Sequence, residues 1–235
     1  MVADARRLHA ELAGDPDADS IAQAAACAAP ILAAAPASAS QAIDWLSPQL
    51  VPWEQSALDQ ARVLSTEYSV PGRYQGVPAA TPHSEFRNPH LPPAHIYDHF
   101  LHRYQSTGRK RHGVFFTPQP IADFIVAAVD RLLREEFQLA SGLATQSTIH
   151  LDPACGTGVF FLAEIDYLHC ATASRDWNDL VNQLLPRLIG IEVLPAAALL
   201  AKLNIALKLA ETGYDFRRPG PIQIITGDAL SPDTS

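Results

Sequence analysis

Carboxylates and glycines stand together at a point of the chain where they could hold a ligand. The loop Asp152-Pro153-Ala154-Cys155-Gly156-Thr157-Gly158 follows the β-prone run 148–150 and precedes apolar residues at helical spacing. Glycine lets the backbone bend sharply and approach a ligand closely, and a carboxylate at a strand end faces the crevice above a sheet. The pattern predicts a strand, a tight loop and a helix that together hold a cofactor.

The arrangement of the glycines constrains the cofactor. A dinucleotide loop has Gly-x-Gly-x-x-Gly, and a phosphate loop has Gly-x-x-x-x-Gly-Lys-Ser/Thr. This loop has only Gly156-x-Gly158 and no lysine, so a phosphate ligand is poorly supported. Taken alone, the loop also leaves open a structural glycine turn in another kind of α/β domain.

Two further acids follow apolar, β-prone runs. Glu192 ends the run 188–192, and Asp228 follows the run 221–226 and a glycine. In nucleoside-binding α/β folds, a carboxylate at the end of the second strand binds the ribose hydroxyls, which suits Glu192. Asp228 can accept a hydrogen bond from an adenine amino group, and the Ala229 N–H can donate to a ring nitrogen. A solvent-facing loop acid is the alternative for Glu192.

Apolar periodicity predicts the elements that must position these residues. Thr117 and Pro118 predict a helix N-cap and a proline in the first turn of a long helix with a core-facing apolar side. The residues on that side are Ile121, Phe124, Ile125, Ala128, Val129, Leu132 and Leu133. Helices over 177–185 and 195–210 alternate with strands near Ile149, Ile189 and Ile224. We therefore expect a doubly wound α/β sheet, with helices on both faces and the ligand at the carboxyl ends of the strands.

Residues 1–93 are Ala- and Pro-rich and predict a helical and loop appendage, separate from a second domain over 94–235. A first helix is expected from about residue 20 to 31, with Pro30 and Pro36 limiting its length. A partly disordered segment is the alternative.

Composition limits the class of protein. The 235 residues are 48% hydrophobic and 18% charged, with a formal net charge of -8, which fits a soluble globular protein and argues against one that grips DNA over its whole surface. The basic cluster Arg109, Lys110 and Arg111 predicts at most a local, weak DNA contact, with a solvated loop as the alternative. The three cysteines show no metal-ligand or disulfide spacing, and the sequence has no signal peptide or membrane-spanning run. A cytoplasmic protein without metal or membrane is expected.

Four separated features carry a resemblance to a known family: Phe116-Thr117-Pro118, the loop 152–158, Glu192, and Gly227-Asp228-Ala229. In order and spacing they resemble the N6-adenine DNA methyltransferases of bacterial restriction-modification systems. The residues at 97–101, 113–118 and 185–192 look most like the single-polypeptide type I enzymes. The resemblance covers residues 94–230 and does not reach the first ninety or so.

The resemblance implies the class I S-adenosylmethionine-dependent methyltransferase fold, a Rossmann-like doubly wound sheet, with S-adenosylmethionine as cofactor and DNA as partner. By this likeness, Thr117 and its neighbours contact the methionine end of the cofactor. The cofactor-binding positions carried over from the family are Phe116, Thr117, Pro118, Asp152, Pro153, Ala154, Cys155, Gly156, Gly158, Glu192, Val193, Asp228 and Ala229.

One departure from the family is large. Its members continue into a fourth strand that ends in Asn-Pro-Pro-Tyr/Phe, and this sequence stops at Ser235 without that motif. We therefore expect a domain truncated after the third strand, inactive alone, with no catalytic residue of its own and an unpaired strand edge near 222–225. It could be a fragment, a relic, or half of a split enzyme completed by a partner chain. A non-catalytic cofactor-binding or interaction module and a methyltransferase acting on protein or a small molecule are the alternatives.

Overall fold

The computed structural model describes residues 18–35, 39–68, 117–172, 177–217 and 220–230. In chain order its helices and strands are α1 (Ala18–Ala34), α2 (Ala39–Leu46), α3 (Pro52–Tyr68), α4 (Gln119–Glu135), β1 (His150–Asp152), α5 (Val159–Ala171), α6 (Trp177–Leu184), β2 (Leu188–Glu192), α7 (Pro195–Glu211) and β3 (Gln223–Thr226). Short 3-10 turns cover Ser47–Gln49, Gly142–Ala144 and Leu185–Arg187. None of the helices in this part of the chain is long and apolar enough to cross a membrane.

The three strands form one parallel sheet in the order β1-β2-β3. Asp152 lies opposite Gly190, and Glu192 lies opposite Thr226. Because all three strands run the same way, their carboxyl ends meet at one edge, where parallel α/β sheets bind ligands. The predicted mixed α/β fold with a parallel sheet is confirmed, while helices on both of its faces stay a prediction.

A glycine in the central strand lets the sheet accept the elements packed on it. A Cβ atom at Gly190 would lie 2.6 Å from Ile224 Cδ1, 2.9 Å from Cys155 Sγ and 2.9 Å from Phe161 Cε2. A Cβ atom does not fit at such distances. Therefore β3, the predicted cofactor loop (residues 152–158) and α5 can all approach β2 this closely only because this residue is glycine.

Helix α7 lies at the centre of the hydrophobic core. Most of its residues are buried, including Leu199, Leu200, Leu203 and Ile205. It packs against β2 and β3, and also against α1, α2 and α5. The Ala- and Leu-rich sequence suits this position, because small residues allow close approach of neighbouring helices and leucines fill the remaining space. The N-terminal helices thus share a core with the sheet, and the predicted domain boundary at residue 93 stays a prediction.

Pro30 does not limit the first helix, so that part of the prediction is wrong. Helix α1 runs through Pro30 to Ala34 and ends before Pro36, the second proline expected to limit it. Proline removes one backbone hydrogen bond from a helix. Here the neighbouring Ala28, Ala29 and Ile31 are buried, and α1 packs against α3 and α7. Tertiary packing therefore outweighs the local penalty.

Helix α4 buries a different set of residues from the one that its periodicity predicts. Its buried residues are Ala122, Val126 and Asp130, which pack it on α5 and on the 3-10 turn at 142–144. The apolar residues Ile121, Phe124, Ile125, Val129 and Leu132 are 39% to 73% exposed. The prediction of a core-facing side is thus wrong for most of these residues, because no described element covers it.

Candidate cofactor site

The loop after β1 has the tight geometry that its glycines predict. Gly156 has φ 55° and Gly158 has φ 87°, both in the left-handed region that favours glycine. Gly158 is the N-cap of α5, and its N–H donates to the Cys155 carbonyl at 2.8 Å. The Cys155 N–H donates in turn to the Ile191 carbonyl at 3.0 Å, which ties the loop to β2.

Glu192 joins the three predicted ligand-binding segments. It is buried, and its Oε2 accepts a hydrogen bond from Gly156 N at 2.8 Å while Oε1 accepts one from Leu194 N at 2.8 Å. Its main-chain carbonyl accepts a hydrogen bond from Gly227 N at 2.9 Å. The glycine loop, the end of β2 and the exit of β3 therefore meet at this one residue. The sequence predicted a ribose acceptor at Glu192. It did not indicate that this residue joins three backbone segments by hydrogen bonds.

Asp152 has one carboxylate oxygen with no internal partner. Oδ1 accepts a hydrogen bond from Ala154 N at 3.1 Å. Oδ2 is buried and has no hydrogen-bond partner among the described residues. Burial raises the pKa of Asp152, against the lowering effect of the Ala154 N–H. A donor or a cation brought by a ligand would satisfy this oxygen.

Burial also shifts the pKa values of two other ionisable groups at this edge of the sheet, Glu192 and Cys155. Burial, with a smaller contribution from the nearby charge of Asp152, raises the pKa of Glu192, while its backbone hydrogen bonds lower it. Burial also raises the pKa of the Cys155 thiol, so this sulfur is an inert, neutral packing group near the loop. Burial therefore disfavours the charged form of both carboxyls at this edge of the sheet, Asp152 and Glu192.

The other predicted contact residues lie at the open rim. Val193, next to Glu192, is 49% exposed, and Asp228 and Ala229 are exposed after β3. Asp228 Oδ1 accepts a hydrogen bond from Leu230 N at 2.9 Å, which fixes the turn. Pro153 and Ala154 are exposed at the top of the loop. Contact between these exposed residues and a cofactor stays a prediction.

The start of α4 differs by one residue from the prediction. The N-cap is Pro118, not Thr117, with no side-chain capping hydrogen bond. Pro118 has φ -58° and ψ 138°, outside the helical region, so the helix begins one residue later, and the Pro118 carbonyl accepts hydrogen bonds from Ile121 and Ala122. Contact between Thr117 or Pro118 and a cofactor stays a prediction. Phe116 and the basic residues at 109–111 lie outside the described residues.

Two residues of α7 that the sequence did not single out support the loop. Asn204 Nδ2 donates to the Thr157 carbonyl at 3.1 Å. A Cβ at Gly158 would lie 3.4 Å from Ala201 Cβ, an ordinary packing contact. The signal for Asn204 was available, because only Lys202 and Asn204 are polar within the apolar stretch 195–207.

Comparison with known families decides what kind of protein carries this site. A model of the N-6 DNA methylase family matches residues 93–234. The chain belongs to this family. The match contains every element from α4 to β3, with all the carboxylates described above, whereas α1, α2 and α3 precede it.

Three solved structures resemble this chain in fold. The Type ISP restriction-modification enzyme LlaBIII bound to DNA has a TM-score of 0.54 and 20% identity over 100% of this chain and 16% of its own. A nuclease-deletion mutant of the Type ISP enzyme LlaGI with a DNA substrate mimic has 0.53 and 22%, over 89% and 16%. The DrdV-DNA complex has 0.51 and 22%, over 97% and 23%. The chain thus spans less than a quarter of each of these chains.

Proposed function

We propose that this chain is the S-adenosylmethionine-binding portion of a site-specific DNA adenine-N6 methyltransferase of a restriction-modification system. The observation that carries the proposal is Asp152 Oδ2, buried at the glycine loop with no hydrogen-bond partner among the described residues. Leaving such an oxygen unsatisfied is costly. The ammonium group of S-adenosylmethionine would supply a charge-assisted donor to it.

The charge of the site supports this cofactor over a nucleotide. S-adenosylmethionine carries an ammonium and a sulfonium, and when bound it supplies an electrophilic methyl group. Burial raises the pKa of Asp152 and of Glu192, and a cation bound beside them would offset that effect by stabilising their charged forms. A phosphate would add a further negative charge next to two acids.

The remaining residues fit the nucleoside end of the same molecule. A carboxylate offers about four acceptor positions, so Glu192 keeps capacity for a ribose hydroxyl beyond the backbone amides that it already binds, which include those of Gly156 and Leu194. Val193 presents an exposed apolar side chain next to it. Asp228 and the Ala229 N–H, both at the rim, would accept from and donate to the adenine.

The DNA substrate is proposed from the family and from the similar structures, each of which is described with DNA. The net charge of -8 makes this chain alone a poor ligand for a polyanion. Arg109, Lys110 and Arg111 would contribute a weak phosphate contact. Most DNA contacts would come from further polypeptide.

The edge of β1 is where further polypeptide would add. Within the described residues β1 pairs only with β2, and Ile149 and Leu151 are 71% and 59% exposed. A groove of about 540 Å³ separates this edge from α4 and is lined mainly by apolar residues such as Ile125, Val129 and Phe160. The sequence singled out the edge of β3, which is terminal among the described strands, but Ile149 and Leu151 place exposed apolar side chains at β1. A strand bearing Asn-Pro-Pro-Tyr/Phe, from a partner chain or additional sequence, would pair here and supply the catalytic groups.

Cofactor binding is tested by calorimetric titration with S-adenosylmethionine. We compare the wild type with Asp152→Asn and Asp228→Asn, and use Asp179→Asn on α6 as a matched exposed control. Loss of a charged hydrogen bond should weaken binding by about tenfold to a hundredfold for Asp152→Asn, with the control unchanged. A chain that is folded by circular dichroism but does not bind the cofactor would contradict the proposal.

Methyl transfer is tested with labelled cofactor and duplex DNA. The chain alone should transfer nothing, and transfer should appear when a polypeptide carrying the missing strand is added. Transfer by the chain alone would show that it is a complete enzyme. Tight cofactor binding with no transfer in any combination would favour the second candidate, a non-catalytic binding or interaction module, which the exposed groove at β1 also suits.

A further inference from the structure

The cofactor loop rests on one face of α7. Asn204 Nδ2 donates to the Thr157 carbonyl at 3.1 Å, and Ala201 packs against Gly158. Ala201 and Asn204 are three residues apart and therefore neighbours on the helix surface. Both are buried. The position of the loop thus depends on where this part of α7 lies.

A buried ion pair fixes the same part of α7 to the N-terminal helices. Lys202 Nζ lies 2.6 Å from Glu54 Oε1 and 2.8 Å from Oε2. Glu54, on α3, is fully buried, and Lys202 is only 5% exposed. Glu54 Oε2 also accepts a hydrogen bond from Val51 N at 3.1 Å. Since neither charge can reach water, each depends on the other.

Burying the side-chain amide of Asn204 costs free energy. Its Oδ1 is buried and has no hydrogen-bond partner within the described residues. An apolar residue would avoid this cost. The bond from Nδ2 to the loop is the interaction that offsets it, so Asn204 contributes to the position of the loop more than to the core.

We propose that α1, α2 and α3 are a positioning element for the cofactor loop and that they act on it through α7, with the Glu54–Lys202 pair and Asn204 as its positioning residues. These helices lie outside the stretch that matches the family model, residues 93–234. A closely packed helix transmits small displacements, because core contacts do not tolerate gaps. A shift of α7 at Lys202 therefore moves Ala201 and Asn204, and with them Thr157 and Gly158.

The test compares loop order with stability in four variants. Glu54→Gln and Glu54→Asp disturb the pair from α3, and Asn204→Leu removes the direct bond. Asn182→Leu is the matched control, because Asn182 accepts a hydrogen bond from the Tyr214 hydroxyl at 2.6 Å, away from the loop. The measurements are hydrogen exchange of the amides at 155–158, the affinity for S-adenosylmethionine and the unfolding temperature.

We expect faster exchange in the loop and about tenfold weaker cofactor binding, ~1.4 kcal/mol, for Glu54→Gln and Asn204→Leu. Asn182→Leu should lower the unfolding temperature and leave both loop measurements unchanged. If Glu54→Gln does not fold, Glu54→Asp decides, because it keeps both charges and shortens the side chain by one methylene.

Wild-type loop exchange in a folded, destabilised Glu54 variant would overturn the proposal. The affinity measurement rests on the proposed function, whereas the exchange measurement does not. A wild type that fails to bind S-adenosylmethionine would therefore refute the proposed function, and loop exchange in the variants would still decide this inference.

Discussion

Helices α4 and α7 are similar in length and both carry apolar residues at helical spacing, yet one is largely exposed on its apolar side and the other is buried. Helix α7 is almost entirely buried, between the sheet and the N-terminal helices. Helix α4 exposes most of its apolar side next to the edge of β1 that pairs with no other described strand. The difference shows that periodicity predicts which side of a helix is apolar. Whether another element packs on that side is decided by the rest of the fold.

The largest expected effect is the difference between two leucine deletions. Leu203→Ala on α7 should cost about 3 kcal/mol of unfolding free energy, because it opens a cavity in the core. Leu132→Ala on α4, where the side chain is 52% exposed, should cost less than about 0.5 kcal/mol. Urea unfolding at low protein concentration measures both. Equal losses would break the comparison and show that the α4 surface is covered in solution.

Helix α4 is held by a polar network where α7 is held by packing. Asp130 Oδ2 accepts hydrogen bonds from Arg134 Nε at 2.7 Å and from the Tyr167 hydroxyl at 2.9 Å, and Oδ1 accepts one from Leu143 N at 2.8 Å. Asp130→Asn should cost about 2 kcal/mol at pH 7. The exposed Asp123→Asn on the same helix serves as the control and should be nearly neutral.

The pH dependence of that loss has a definite sign. Burial alone would raise the pKa of Asp130, but the hydrogen bonds from Arg134, Leu143 and Tyr167 outweigh it, and the pKa is lowered. A carboxyl with a lowered folded-state pKa stabilises fully above its unfolded value, about 3.9, and loses that effect as pH falls through the folded value. The cost of Asp130→Asn should therefore shrink only in strong acid. A cost that is independent of pH would show that charge is not the cause.

A smaller effect of opposite sign is expected at Asp152, where β1 meets the cofactor loop. Burial raises its pKa, so its ionised form destabilises the unliganded fold above the folded-state pKa, and the penalty disappears below about 3.9. Asp152→Asn should stabilise the unliganded chain by about 1 kcal/mol at pH 7, and the gain should decrease as pH falls. Thermal unfolding from pH 7 to pH 3.5 measures it. A destabilised variant would mean that Asp152 is structural.

The sequence predicted the elements around the site well, because their signals are local. The apolar run 188–192 and the Ala- and Leu-rich run after Pro195 became β2 and α7 within a residue or so. The glycines at 156 and 158 have the left-handed geometry that a tight loop requires. These features depend on residue type and spacing alone.

The parts that the sequence missed depend on partners distant in the chain. Nothing near Glu192 indicates that its carboxylate binds the amide of Gly156, 36 residues earlier. Asp130 is typical of a surface acid until Leu143 and Tyr167 are placed beside it. Pro30 is tolerated inside α1 because of tertiary packing. Hydrogen-bond partners and packing neighbours depend on residues far away in the sequence, and local patterns do not encode them.

The register of the sheet also staggers the two acids at its edge. Asp152 is level with Gly190, so the backbone of Glu192 stands two residues further along the strand direction, about 7 Å at the usual rise of a strand. The carboxylate of Glu192 turns back from there to the amide of Gly156, in the loop that follows Asp152. The register thus gives β2 the extra length that lets its last side chain tie down a loop from the neighbouring strand.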